Sequence, residues 1–310
     1  MALSDNSRGA LLMSLAMASF ACNDAIVKSI TTELTIAQIM AVRGVMTTGL
    51  VYLIGRRMGV DLSWQALKNR HVLLRIFFEL GATLTFFSAL SRIQFATASS
   101  IMQSLPLAVT LGAALFFREP VGWRRWAAIV VGFLGVLLVI RPGPEGFAPA
   151  ALFAVAAVFF TASRDLTTRR VRADIPSLTI TLYTAGANAL LGALLIPAMG
   201  GWQPVSAVTF GHLVFTAFAV LAGYQTVIMS MRRGEISFVA PFRYTSLIWA
   251  LLIGVFVFGE HLTASMLTGA GIVIASGLYT FVRENKRRRA LAETAGMVLE
   301  AGSAQREGSR

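Results

Sequence analysis

Cysteine and histidine are nearly missing from this sequence. Cys22 is the one thiol, and His71, His212 and His261 lie far apart. A lone cysteine excludes an internal disulfide, and the scattered imidazoles offer no zinc-type ligand set. No metal and no cofactor are expected. Charge is scarce as well: 14% of residues are Asp, Glu, Lys or Arg, against roughly 25% in an ordinary soluble domain. There is no G-x-x-x-x-G-K-[ST] loop, so the chain lacks a phosphate loop for ATP hydrolysis. An enzyme working within a membrane would need a nucleophile–base set or metal ligands, and neither is offered. A cleavable leader is not expected either. The apolar run after Arg8 reaches about residue 30, too long for a signal-peptide core, with no clear small-residue cleavage site.

Hydrophobic residues make up 56% of the chain, and the mean hydropathy is +0.69. Apolar runs of about twenty residues alternate with short charged clusters, and such a run spans roughly 30 Å as a helix. Stretches such as 126–140 are apolar on every face, which excludes an amphipathic soluble helix. Ten spans are read, near 8–30, 34–55, 72–92, 95–117, 122–140, 148–168, 176–198, 208–230, 236–258 and 262–282. Short connections with turn punctuation, such as Gly143-Pro144, Gly200-Gly201 and Glu119-Pro120, suit antiparallel neighbours. The fold class is therefore an all-α integral membrane protein.

The net charge of +12 is no nucleic-acid footprint, because the positives lie at the ends of apolar runs. With the N-terminus inside, nineteen Lys and Arg flank the spans on the inner side and three, Lys28, Arg92 and Arg141, on the outer. The positive-inside rule then places both termini in the cytoplasm of a bacterial-type inner membrane. The segment 284–310 is basic, then polar, and is expected to be a disordered tail resting on anionic lipid.

Adding 141 to a position in the first half lands on a matching feature in the second. Asp24 maps to Asp165, Lys28 to Arg169, Arg92 to Arg233, Phe117 to Phe258 and Glu119 to Glu260. The halves 8–141 and 148–283 thus hold five spans each, and an odd number inverts the second half in the membrane. Inverted repeats of this kind are the architecture of many secondary transporters, because two like halves can exchange conformations.

The segment Phe116-Phe117-Arg118-Glu119-Pro120 is followed by Gly132 and Gly135. A second copy, Phe258-Gly259-Glu260, is followed by Gly269, Gly271 and Gly277. With two five-span halves, this resembles the drug/metabolite transporter superfamily, specifically its ten-helix EamA type. The resemblance covers about 8–283. It implies a transporter that moves small organic molecules without a cofactor. The opening Asn6, Arg8, Gly9 and Ala10, with Asn23, Asp24 and Lys28, looks most like members that take up riboflavin or S-adenosylmethionine.

Charges inside spans are expensive and face a cavity or a partner. Asp24 and Lys28 stand at i and i+4, as do Asp165 and Arg169, so each couple can pair on one helix face. For Asp24 a substrate role stays open beside the pair, and Asn23 and Arg164 make the two copies differ. Arg43 and Arg243 sit deep in their spans without a partner on their own helix. Each suits a cavity role, since Arg makes forked contacts to carboxylates; the alternative is a buried pair with Glu79 or Asp165. Glu79 is either a proton-carrying group or the counter-ion of Arg43 or Arg75. Glu119 and Glu260 are expected to cap the helix that follows each of them. Pro106 and Pro241 interrupt the fourth and ninth spans, near Gln103, Tyr244 and Trp249. Tyr183, Asn188, Tyr224 and Gln225 add aromatic and amide groups that would suit a flat heterocycle.

These residues form the expected substrate site, with Glu79 and Asp165 as coupling or ion-pair groups. The expected partners are a small-molecule substrate, the lipid bilayer and protons as candidate coupling ion, and the chain is a monomer or homodimer. Candidate substrates are riboflavin, S-adenosylmethionine or amino-acid-like metabolites. The competing readings are a lipid flippase and a non-transporting membrane receptor.

Overall fold

The computed structural model describes residues 5–119, 122–141, 148–172, 174–233 and 235–307, and the side chains of 236, 237 and 287–307 lie outside that description. Pro120 and the Gly143-Pro144 turn also fall outside it. The described chain is helical throughout: α1 (Asp5–Ile30), α2 (Ile36–Arg57), α3 (Arg70–Leu90), α4 (Phe95–Met102), α5 (Leu105–Phe116) and α6 (Trp123–Ile140) form the first half. The second half holds α7 (Ala151–Thr168), α8 (Ser177–Leu195), α9 (Ala207–Arg233), α10 (Ile236–Val239), α11 (Thr245–Phe256) and α12 (Ala264–Glu307). Nine stretches among the described residues are long and apolar enough to cross a membrane, and a shorter apolar one, Ala240–Phe256, belongs to the ninth span.

Sequence punctuation sets the ends. Thr35 accepts from the Gln38 amide and Asn69 from the His71 amide, each satisfying a donor that its helix leaves open. Gly200 and Gly201 close the 3-10 turn Pro197–Met199 that follows α8, with φ of +101° and +77°, which a residue with a Cβ adopts only under strain. The fourth and ninth spans break where their prolines predict. Pro106 has no N–H, and its ring conflicts with the carbonyl four residues back, at Met102, the last residue of α4. Pro241 sits in a 3-10 turn, Ala240–Tyr244, between α10 and α11. At the breaks Gln103 donates to the Tyr244 carbonyl (3.3 Å) and the Ser246 hydroxyl (3.0 Å), so freed backbone finds a partner inside protein. Gln103 and Tyr244 are equivalent under the 141-residue offset, and their contact marks the pseudo-two-fold axis.

Contacts between the connections agree with alternation of the spans. At one end, rich in arginine, Arg125 pairs with Glu284 (2.6 Å), the Glu235 amide donates to Asn6, and Thr179 donates to the Asp61 carbonyl. At the other, Gln38 exchanges hydrogen bonds with Gln203 (2.8 and 2.9 Å), Glu33 accepts from Thr209, and Arg141 donates to Ser265.

The main interfaces run between the halves. Helix α1 packs on α9, α3 on α7, α2 on α8 and α6 on α12. Small residues permit this. A Cβ on Gly192 would stand 2.4 Å from the Ala41 nitrogen, and one on Gly135 2.8 Å from the Gly269 carbonyl. Backbones that approach this closely gain dispersion contacts that lipid cannot match. Large apolar side chains such as Leu134, Phe218 and Phe256 remain exposed on the outside, as a lipid-facing girdle requires. Helix α12 continues to Glu307. The run Arg287 to Glu293 is built from Arg, Ala, Leu and Glu, which favour helix over coil.

Candidate functional site

Six charged side chains from four spans gather in the interior. Arg164 on α7 donates to Glu79 on α3 (2.9 Å) and to its own neighbour Asp165 (2.7 Å). Arg75, one turn before Glu79, donates to the Thr184 hydroxyl on α8 (2.9 Å) and lies within electrostatic reach of Glu79, Arg164 and Asp165. Arg43 on α2 stacks over the Phe87 ring at 5.6 Å and feels the charges of Asp24 and Glu79. Asp24 on α1 accepts from the Asn23 amide (2.8 Å). Three acids and three arginines make the cluster neutral as a whole, which is what permits so many charges at this depth.

The scaffold is symmetric and the site is not. Only the acid is shared by the halves, as Asp24 and Asp165. Under the offset, Arg43 corresponds to Thr184, Arg75 to Thr216, Glu79 to Val220 and Arg164 to Asn23. Arg164 therefore draws on two carboxylates, while Asp24 has an amide for its neighbour and Arg43 an aromatic face. This unequal sharing leaves one acid on α1 and one guanidinium on α2 with spare bonding capacity, and both helices pack on α9. Asn23 Oδ1 and Asn188 Oδ1 are buried, and neither has a hydrogen-bond partner among the described residues.

Aromatic groups border the charges. Tyr224 stands edge-on to Phe20 at 5.3 Å, and its hydroxyl is within electrostatic reach of Glu79, Arg164, Arg75 and Arg43. Trp249 donates from its indole to the Ser14 carbonyl (3.2 Å), tying the ninth span to α1. Tyr224, expected among the polar aromatic groups, borders the cluster; Phe20, Phe87 and Thr184 do so as well, although periodicity gave no reason to single them out. The one visible signal was Gly223 beside Tyr224, which receives the Phe20 ring: a Cβ there would stand 2.6 Å from it.

Of the residues expected in the site, Asn23, Asp24, Arg43, Glu79, Arg164 and Asp165 come together. Asn188 joins through Thr184, to whose carbonyl it donates (3.1 Å) while Arg75 holds the hydroxyl. Gln103, Tyr244 and Trp249 lie at the broken spans. Tyr183 does not join: its hydroxyl donates to the Leu62 carbonyl (2.9 Å) at the arginine-rich end, where it holds a connecting loop. Gln225 and Arg243 are exposed, and no described hydrogen bond or ion pair links either to the cluster.

Several expected pairings are replaced. Glu79 bonds Arg164 rather than Arg43 or Arg75. Lys28 turns from Asp24 to the carbonyls of Leu90 (2.9 Å) and Ile93 (2.6 Å), which the C-terminus of α3 leaves open at its negative end. Arg169 turns from Asp165 to Glu119 (3.5 Å), because Arg164 already occupies the aspartate. Glu260 does not cap the helix that follows it. Its carboxylate accepts from the amides of Phe95 and Ala96 (the latter at 2.9 Å), capping α4 in the opposite half.

Comparison with known proteins agrees with this architecture. The model of the EamA-like transporter family matches residues 7–141 and again 148–282. The chain is 30% identical to a riboflavin transporter of Vibrio cholerae over 191 residues, which span 61% of this chain and 63% of that protein's length. It is 27% identical to an S-adenosylmethionine uptake transporter of Rickettsia bellii over 221 residues, 70% of this chain and 73% of that one. A solved crystal structure of 19% identity superposes with a TM-score of 0.62 over 90% of this chain and 98% of that chain, which is a likeness of fold. Two matched segments of one family model, on the two five-span halves, account for the repeat, and the chain belongs to the EamA-like transporter family.

Proposed function

We propose that this protein is a secondary transporter of the bacterial inner membrane, with both termini in the cytoplasm, that carries a small amphoteric metabolite by alternating access. The observation that carries the substrate class is the unequal sharing of charge in the interior. Asp24 and Arg43 lie on α1 and α2, which both pack on α9, with bonding capacity to spare. A molecule with a cationic and a carboxylate group satisfies both, whereas a simple anion or cation would leave one buried charge opposed. Aromatic faces at Phe20, Phe87 and Tyr224 suit a flat ring beside the charged end. S-adenosylmethionine has all three features. Riboflavin has the ring without the charges, and amino-acid-like metabolites have the charges without a large ring.

The test is thermal stabilisation of the purified protein by S-adenosylmethionine, riboflavin and aromatic amino acids, followed by uptake into proteoliposomes with and without a proton gradient. A ligand at a hundred times its Kd should add about 2.7 kcal/mol of stability. Stabilisation by S-adenosylmethionine or an amino acid supports the amphoteric reading, and riboflavin alone would replace it with ring recognition. A response to lipids only would move the function to lipid translocation.

A further inference from the structure

The two Phe-x-Glu turns have the same backbone and different uses. Arg118 and its counterpart Gly259 both take a left-handed conformation, with φ of +52° and +62°. In both turns the glutamate amide donates six residues back, from Glu119 to Ala113 (3.4 Å) and from Glu260 to Gly254 (2.8 Å). The carboxylates then diverge. Glu260 reaches across to the first amides of α4, Lys28 ties α1 to the end of α3 beside it, and the Lys28 ammonium stands 5.5 Å from the Phe258 ring. The end of the bundle that holds Glu260 is thereby tied by Glu260, which joins the halves, and by Lys28, which joins α1 to the end of α3 beside it. At the other end Glu119 instead meets Arg169, the counterpart of Lys28, at 3.5 Å. Both are half-exposed in a shallow surface depression that Phe116, Phe117, Arg118 and Arg170 also line.

Sequence supplies a reason for the difference. Position 254 is glycine, and a Cβ there would stand 2.8 Å from the Glu260 carboxylate and 3.3 Å from Ala96. The counterpart of Gly254 is Ala113, which is buried and carries that Cβ. The carboxylate can therefore lie against the helix and face the opposite half on one side only.

We infer that Glu260, seated on Gly254 and flanked by Lys28, is a latch that holds the Lys28 end of the protein closed, and that the Gly254/Ala113 difference makes this latch stronger than its Glu119 counterpart. The two turns thus bias the resting protein toward opening at the arginine-rich end, where the Arg125–Glu284 pair is a further tie between the halves. The role in a transport cycle rests on the transport reading above. The latch itself is tested without a substrate, so its failure and that of the transport reading are separate results.

The experiment is spin-label distance measurement on the full chain in lipid nanodiscs, in a Cys22→Ser background, with labels at Ser91→Cys and His261→Cys. Both positions are exposed at the Lys28 end. The otherwise unaltered protein should show one dominant short distance. Glu260→Gln and, separately, Gly254→Ala should each raise the ratio of long to short distances about tenfold, the equivalent of losing one charged hydrogen bond. Glu119→Gln should leave this distance unchanged. Should Glu260→Gln not fold, Gly254→Ala, which adds one methyl in an apolar helix, decides. An unchanged distribution in folded Gly254→Ala or Glu260→Gln protein overturns the latch and reduces Glu260 to a static cap.

Discussion

Replacing Arg43 and Arg164 in turn by glutamine separates a binding arginine from a structural one. Arg164 holds two carboxylates, at 2.9 Å and 2.7 Å. Glutamine keeps some length and loses the charge, leaving Glu79 and Asp165 together without their shared cation. Breaking a buried pair costs about 3–5 kcal/mol. The Glu79 arm carries most of this, since both its partners are 20% exposed, whereas Asp165 is 39% exposed and screened by water. Arg164→Gln should therefore lower the melting temperature by on the order of 10 °C, taking about 2–4 °C per kcal/mol for a chain of this size. Arg43 loses its stacking on Phe87 and diffuse attractions to Asp24 and Glu79, about 1 kcal/mol. Its folded protein should melt within a few degrees of the original. Its substrate affinity should fall about 10- to 100-fold, the loss of one charge-assisted contact. Melting by intrinsic fluorescence and uptake into proteoliposomes, both on the same preparations, give the two readings. The reasoning is refuted if Arg43→Gln is the unstable protein, or if Arg164→Gln melts normally.

Other positions test the scaffold. Arg118 adopts φ of +52° where its counterpart is glycine, so Arg118→Gly should stabilise the protein by up to about 1 kcal/mol, read as a small rise in melting temperature. Gly192→Leu places a side chain where the α2 backbone already lies 2.4 Å from an ideal Cβ; it should abolish monodisperse protein in size-exclusion chromatography, while leucine at Gly211, which has open space around it, should be tolerated. Tyr183→Phe removes one bond to the Leu62 carbonyl and should cost about 1 kcal/mol of stability with uptake unchanged, in contrast to a substrate contact. Single cysteines at Gln65 and Arg172, with Cys22 replaced, should react with an impermeant maleimide only after cells are opened, and a cysteine at His261 should react in intact cells; the reverse pattern would invert the proposed orientation.

The ten spans, the two halves and the breaks at Pro106 and Pro241 were all legible in the sequence. Each is written locally, as the length of an apolar run, a fixed offset or a missing N–H. The family motif was legible too, as a left-handed turn followed by a glutamate, but its partner was not. Reading Glu260 as a cap identified the chemistry and misplaced the helix, because the amides it meets belong to α4, 165 and 164 residues away in sequence. Lys28 and Asp24 share a helix face, yet Lys28 went to the carbonyls at the end of α3, which no sequence window contains. Tyr183 and Asn188 are five residues apart on one helix and serve opposite ends of their span's task, a loop tether and a site neighbour.

The amino-acid sequence by itself determined that this chain lives in a membrane, how often it crosses and that it does so as an inverted duplication. Hydropathy, charge placement and repeat spacing act over a few turns of helix or at one constant offset. Tertiary structure alone decided which charge meets which. An ion pair such as Arg164–Glu79 joins residues 85 apart, and its geometry follows from how closely α3 and α7 approach. In a low-dielectric interior, a few ångströms of helix placement decide whether a charge finds a partner, a carbonyl or an open cavity.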